Sequence, residues 1–342
     1  MTETLGTHYA PPAVRFDAAH PVLRFLAKRV VAGVLTLFVV SILIFFGTEV
    51  LPGNVAQAIL GQNATPGAMA DLRRNLELDE PLHTRYFAWL TGFVRGDLGK
   101  SAARVGAGVQ NAGVWQLISS RLENTLLLAG LTILFTALFG IGLGVVLAAK
   151  VRRKLDLAVS VILLALISLP EFVVATILIL VFSTSLHVLP PVSLVFTGAS
   201  PLSNPKILVL PVMTLLAVTL AYTVRMVRAS MFDALQSDYI ELARLSGYSE
   251  RRIVFRYALR NAAAPILQVM ALNVLWLIGG VVVVEFVFGY PGLGEALVEA
   301  VAIRDVTFVQ SVAMLIATAY VVINILSDLA ITLLVPKLRT SL

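Results

Sequence analysis

Thr125-Leu-Leu-Leu-Ala-Gly-Leu-Thr-Ile-Leu-Phe-Thr-Ala-Leu-Phe-Gly-Ile-Gly-Leu-Gly-Val-Val-Leu-Ala-Ala149 runs without a charge and ends against Lys150, Arg152, Arg153 and Lys154. A helix rises about 1.5 Å per residue, so about 20 apolar residues cross the hydrocarbon core of a bilayer. This stretch reads as a transmembrane helix. Working outward, five further runs meet the same test: Val30–Leu51, Leu155–Leu186, Ile207–Val224, Ile266–Phe288 and Phe308–Val335. The run from Leu155 is overlong and contains Pro170, which predicts a kink or a tilt. The first run is too long for a cleavable signal and no small-residue cleavage site follows it, so it is expected to stay as a helix. Composition agrees, with 58% hydrophobic and 13% charged residues against about 45–50% and 25% in a soluble domain. The charged surface needed to cover one soluble core is missing. The expected fold is all-α, a polytopic membrane protein with about six transmembrane helices.

Charge placement predicts the orientation. Arg15, Arg24, Lys28 and Arg29 precede the first span, four basic residues fill the 150–156 turn, and seven arginines lie in 225–260. With Lys337 and Arg339 in the tail, one side holds 17 of the 26 Lys and Arg residues. The positive-inside rule then makes both termini cytoplasmic. The segments are a cytoplasmic N-terminal stretch (1–29), a first transmembrane helix (30–51), an external segment (52–121), a core transmembrane domain (122–335) with a cytoplasmic loop (225–263), and a cytoplasmic tail (336–342). The net charge of +6 is used for topology, not for nucleic acid. Cysteine is absent and the four histidines are scattered outside the apolar runs, so no metal site is expected.

The 52–121 segment is too long for a simple connector. Thr65-Pro66 reads as an N-cap followed by proline at N1, opening a short polar helix to about Leu78. Pro81 opens a second helix bearing Tyr86, Phe87, Trp89, Leu90 and Phe93, which either lies at the membrane interface or covers the outer mouth of the bundle. Gly96-Asp-Leu-Gly-Lys-Ser101 imitates a phosphate-binding loop. That loop requires glycine at position 94, which is valine, and a preceding strand, so nucleotide binding is rejected. Asn63-Ala-Thr65 fits a glycosylation sequon, a pattern short enough to recur by chance.

Residues 225–260 carry the most information. Asp238 and Glu241 have capping-box spacing, so a helix is expected from about Tyr239. Gly247 is placed to end it in a left-handed turn. Ser249 is placed to cap a second helix with Glu250 in its first turn and Arg251, Arg252, Arg256 and Arg260 beyond. Two short helices at a sharp angle make a basic knob. Either a partner protein grips that knob, or its arginines meet lipid phosphates as in any positive-inside loop.

Glu241-Leu-Ala243, three residues, then Gly247 resembles the EAA coupling loop of ABC-importer permeases, with Leu242 in place of the middle alanine and without the usual closing Leu-Pro. Asp238-Tyr-Ile, Gly247-Tyr-Ser-Glu-Arg-Arg, Arg260-Asn-Ala, Glu285-Phe-Val-Phe-Gly-Tyr-Pro-Gly-Leu-Gly294, Arg304-Asp305 and Asn324-Ile-Leu-Ser-Asp328 resemble the dipeptide/oligopeptide (and nickel) branch. Leu51-Pro-Gly and Gly96-Asp-Leu-Gly with Ser101 are similar to the subunit type with a long first external loop. The resemblance spans roughly residues 24–339.

It implies a type I ABC-importer permease in the bacterial cytoplasmic (inner) membrane. Such a subunit pairs with a second, homologous permease, docks two ATPase subunits that hold ATP and Mg, and receives substrate from an external binding protein. No cofactor is implied in this chain. Asp238, Tyr239, Glu241, Ala243, Gly247, Ser249, Arg251 and Arg252 would form the ATPase-coupling element, with Glu241 and Ala243 at the docking surface. Among ionisable residues in or near the spans, Glu171 either lines the path or pairs with another helix. Glu285 is a candidate for an external gate, and Arg304-Asp305 either joins that outer structure or is a solvated pair. Asn273, Asn324 and Asp328 read as interhelical hydrogen-bonding groups.

Three other readings compete. A nickel or small-solute permease uses close relatives of the same fold. A stand-alone channel or secondary transporter would leave the knob without a task, and no inverted repeat is visible. An intramembrane enzyme lacks a histidine base within any span and lacks His-Glu-x-x-His.

Overall fold

A computed structural model describes residues 19–49, 65–75, 79–109, 112–149, 154–195 and 199–334. Leu51-Pro-Gly, Asn63, Leu78, the basic residues at 150–153, and Lys337 and Arg339 lie outside these, as does the segment before residue 19. Among the described residues all regular structure is helical, apart from one isolated bridge between Lys100 and Gly113. In chain order the helices are α1 (Ala19–Glu49), α2 (Pro66–Asn75), α3 (Leu82–Val94), α4 (Ala102–Gly106), α5 (Val114–Ala149) and α6 (Lys154–Ser168). They continue as α7 (Glu171–Ser185), α8 (Lys206–Leu235), α9 (Asp238–Leu245), α10 (Glu250–Phe288), α11 (Leu293–Ala302) and α12 (Val306–Leu334). Helices α1, α5, α8, α10 and α12 are each long and apolar enough to cross a bilayer, and the α6–α7 pair makes a sixth span if counted as one.

That pair is more than kinked. Its two halves meet at 111°. Pro170 lacks an N–H and disfavours helical geometry at Leu169, so α6 stops at Ser168. Pro170 takes φ −59° and ψ 147°, and its carbonyl accepts from Val173 and Val174 to start α7. Proline here is the residue before the new helix. The second span also begins earlier than Thr125, at Val114.

Lipid tails are as apolar as leucine, so close packing and hydrogen bonds, not burial from water, drive these helices together. Glycine supplies the close packing between α5 and α8. A Cβ on Gly144 would lie 2.7 Å from the Val227 side chain, and one on Gly140 2.8 Å from Thr223. A π-helical turn at Thr136–Ile141 brings Thr136 to within 2.7 Å of Thr219 across the same seam. Gly33 does the same for α1 against Val321 of α12, a pair also joined by Arg29 and Asp328 at 3.1 Å.

The aromatic helix α3 docks on the C-terminal end of α1. Tyr86 is buried, its hydroxyl 2.8 Å from Ser41 Oγ, and its ring packs between Phe45 and Trp89. Arg85 donates two hydrogen bonds to Glu49, at 3.0 and 2.6 Å. Phe87 and Val94 stay exposed. The helix is therefore fastened to a span by one face and open on the other.

Candidate functional site

The basic knob begins where α8 ends. Ser237, extended at φ −76° and ψ 149°, occupies the N-cap position of α9. The capping-box expectation was displaced by one residue: the helix starts at Asp238, and no side chain closes the box. At its other end α9 stops in a Schellman turn, with Gly247 N–H on the Arg244 carbonyl and Tyr248 N–H on the Ala243 carbonyl. Gly247 takes φ +81°, the left-handed conformation that the spacing predicts for it. Ser249 is extended before Glu250, as expected of an N-cap, but contributes its backbone only. Arg244 and Glu250 then tie the two helices together at 2.8 Å, and the Arg252 guanidinium lies over the Tyr248 ring at 4.8 Å.

The two faces of α9 differ. Ile240 and Ala243 are buried with Val145, Ala148, Val227, Met231 and Ile253, so the knob is keyed into α5, α8 and α10. Ala243 at the docking surface is thus overturned: it is 6% exposed, and its small side chain lets α9 lie close on the bundle. The open face carries Tyr239, Leu242 and Leu245, with Leu242 66% and Leu245 80% exposed. Asp238, Glu241, Arg251 and Arg252 are exposed beside it. The sequence motifs of the loop do not mark these leucines. Their i, i+3 spacing from Tyr239, opposite Ile240 and Ala243, was the available signal.

At the far end of the bundle, Glu285 lies wholly inside the protein, 0% exposed. Its carboxylate accepts from Thr125 Oγ1 at 2.6 Å and from Gly294 N–H at 2.7 Å. The turn after α10 wraps around it. Gly289 is left-handed at φ +57°, the Tyr290 hydroxyl donates to the Asn124 carbonyl at 2.9 Å, and Leu293 N–H donates to Thr125 at 2.9 Å. A Cβ on Gly292 would sit 2.1 Å from the Glu285 carboxylate. Arg121 pairs with Glu295 on the adjoining surface. Glu285 therefore holds α5, α10 and α11 together and has no exposed surface in this structure.

Asp305 is the second such clamp, 2% exposed. It accepts from the Ser101 hydroxyl, from Ala102 N–H at 2.9 Å, and from Phe308 N–H at 3.2 Å. One carboxylate thus caps both α4 and α12. The neighbouring Ser311 donates to the Leu98 carbonyl at 2.7 Å. The phosphate-loop look-alike is accounted for: Gly96 and Gly99 take φ +85° and +75°, turning the chain so that Ser101 reaches Asp305. Arg304 is exposed at φ +57°. Asp305 is thereby buried in the packed structure, and its neighbour Arg304 reaches the surface. Glu171 stands apart, half-buried in the first turn of α7, with no hydrogen bond or ion pair to its carboxylate among the described residues. The structure does not bring it together with Glu285 or Asp305.

A family profile described as "Binding-protein-dependent transport system inner membrane component" matches residues 140–340, and its N-terminal counterpart matches residues 22–129. The chain is 36% identical over 317 residues to the probable peptide ABC transporter permease protein y4tP of Sinorhizobium fredii, covering 92% of this chain and 99% of that protein. It is 34% identical over 317 residues to the glutathione transport system permease protein GsiC of Escherichia coli K12, covering 93% and 99%. Among solved structures, inward-facing MetNI methionine ABC transporter shares the fold, with a TM-score of 0.55 at 18% identity over 64% of this chain and 97% of that one.

Proposed function

This chain belongs to the binding-protein-dependent transport system inner membrane components, the permease subunits of ABC importers, and from that membership we propose that its cargo is di- or oligopeptides. The peptide and glutathione permeases that it resembles over nearly their whole length support the assignment. As a member of that family the chain is a multi-pass inner-membrane transport component, and ATP hydrolysis belongs to partner subunits. Those partners are ATPases on the knob side and a substrate-binding protein on the other. We take a second, homologous permease to complete the path, both termini to be cytoplasmic, and lipid to surround the remaining apolar faces.

The observation that carries the coupling role is the two-faced knob. Ile240 and Ala243 lock α9 into the bundle, while Tyr239, Glu241, Leu242 and Leu245 stand open for a partner. Force applied there reaches α8 and α10 directly, because α9 joins them in sequence. Gly247 sets the angle between the short helices, and Asp238, Ser249, Arg251 and Arg252 border the contact. ATP-driven closure of the ATPases would move two such knobs together and tilt the attached spans, exchanging inward-facing and outward-facing states. The Leu242→Asp, Leu245→Asp double variant places two charges on the exposed face only. It is expected to reach the membrane in normal amount, to lose ATPase subunits on affinity purification, and to lose uptake. Retention of the ATPases with full uptake would refute the assignment of this face. Recovery of the unmodified chain alone, with no ATPase from gently solubilised native membranes, would refute the importer reading.

A further inference from the structure

A cavity of about 480 Å³ lies among α6, α8, α10 and α12, within the range of about 300–1,000 Å³ usual for small-molecule sites. Its walls include Val218, Tyr222, Asn273, Trp276 and Tyr320. These positions fall near the middle of their spans, which puts the cavity at the depth of the bilayer core. No Asp, Glu, Lys or Arg lines it.

Its polar groups are the informative ones. Asn273 is 3% exposed, and its amide nitrogen donates to Thr223 Oγ1 at 2.6 Å. That orientation is fixed, because the Thr223 hydroxyl proton is already committed to the Thr219 carbonyl at 2.7 Å, so only an N–H of the amide can face it. The Asn273 amide oxygen is left over. Among the described residues it accepts no hydrogen bond; the Trp276 indole N–H and the hydroxyls of Tyr222 and Tyr320, residues 39% and 45% exposed at the open side of the cavity, have no partner either. Unpaired polar groups in hydrocarbon are costly. A lipid chain offers them nothing, whereas a peptide amide offers one donor and one acceptor.

We propose that this cavity is the mid-membrane station of the transport path, where backbone amides of the passing substrate exchange hydrogen bonds with Tyr222, Asn273, Trp276 and Tyr320 and its side-chain charges go unread. The proposal rests on the permease reading and deepens it. It assigns substrate contact to neutral groups, and removes it from Glu171, Glu285 and Asp305. Carboxylates in the wall would retain cationic peptides and repel acidic ones; a neutral wall passes both.

The chain has no cysteine, which makes the test direct. Val218→Cys, Tyr222→Cys and, as a lipid-facing control on α1, Phe38→Cys are assembled into the full transporter in proteoliposomes and treated with a charged methanethiosulfonate reagent. Residues 218 and 222 are expected to react during ATP turnover and to be protected several-fold by binding protein loaded with trialanine; residue 38 is expected to stay unlabelled. Tyr222→Phe with Tyr320→Phe is expected to slow trialanine uptake several-fold while ATPase stimulation by loaded binding protein persists. Uptake of Ala-Lys-Ala and Ala-Glu-Ala, each presented on saturated binding protein, is expected to be similar in the unmodified transporter and to diverge in Tyr222→Glu. Labelling of 218 and 222 only by a lipid-soluble maleimide, at the rate of residue 38 and without protection, would identify a lipid-filled groove and overturn the proposal. If a solute other than peptide stimulates the ATPase and protects 218 and 222, the peptide assignment fails and the station stands.

Discussion

Glu285 and Asp305 are carboxylates that a membrane protein buries at a cost, and each offsets that cost by accepting several hydrogen bonds. At Glu285 the surrounding turn leaves no room for a side chain on Gly292. Gly292 has φ −108°, an ordinary value, so Gly292→Ala tests the clash alone. Overpacking of this kind is expected to destabilise by about 2–3 kcal/mol, read as a lower thermal midpoint in detergent. Gly279→Ala is the control, since a Cβ there meets nothing within 4 Å and should leave the midpoint unchanged. Asp305→Ala removes the caps of α4 and α12 together and is expected to lose about 3 kcal/mol. If Asp305 only clamps the outer structure, uptake per folded molecule should stay normal at low temperature. An uptake defect that persists in fully folded protein would give Asp305 a role in transport itself.

Single helices set the next scale. Gly247 is the hinge of the knob at φ +81°, and a β-branched residue there strains the turn by roughly 1–2 kcal/mol. Gly247→Val is expected to leave the spans intact and weaken ATPase binding, measured as subunit loss on dilution. Unchanged binding would mean that the angle between α9 and α10 does not matter for docking. By contrast, Arg244 and Glu250 are 46% and 65% exposed. Solvent screens such a pair to no more than about 0.5 kcal/mol, so Arg244→Ala is expected to change the thermal midpoint little. The α6–α7 break is of another kind, because Pro170 enforces it through the backbone and not through any contact.

For the whole molecule the property to test is its direction in the membrane. The proposed orientation puts α9 in the cytoplasm and α3 with α11 outside. The absence of cysteine allows Leu245→Cys, on an 80% exposed residue, to report sidedness. It is expected to react with a membrane-impermeant maleimide in inside-out vesicles and not in intact spheroplasts. The reverse pattern would invert the topology and separate the knob from any cytoplasmic ATPase. The structural neighbour matches 64% of this chain, whereas the peptide and glutathione permeases match 92% and 93%.

Hydropathy and local backbone chemistry were enough to read the apolar spans, the turn at Gly247 and the helix after Thr65, while at Pro170 they gave a kink where the structure has two separate helices. In lipid each span must satisfy its own N–H and C=O groups, so its existence is a property of its own residues. The two-helix knob was also legible, because an acidic first turn, Gly247 and Ser249 lie within one short stretch, although no side chain closes the expected capping box. Which ionisable residues face a path was not. Glu285 finds Thr125 at a separation of 160 residues and Asp305 finds Ser101 at 204, and pairings that distant leave no local pattern. The same holds for α9, where Ala243 is buried and Leu242 and Leu245 are open: in a short helix the buried side is chosen by the bundle on which it lands. The neutral cavity needed Tyr222, Asn273 and Tyr320 from three separate spans. Sequence determined what crosses the membrane, through local hydrogen-bond closure; only tertiary packing decided which polar groups it leaves without partners.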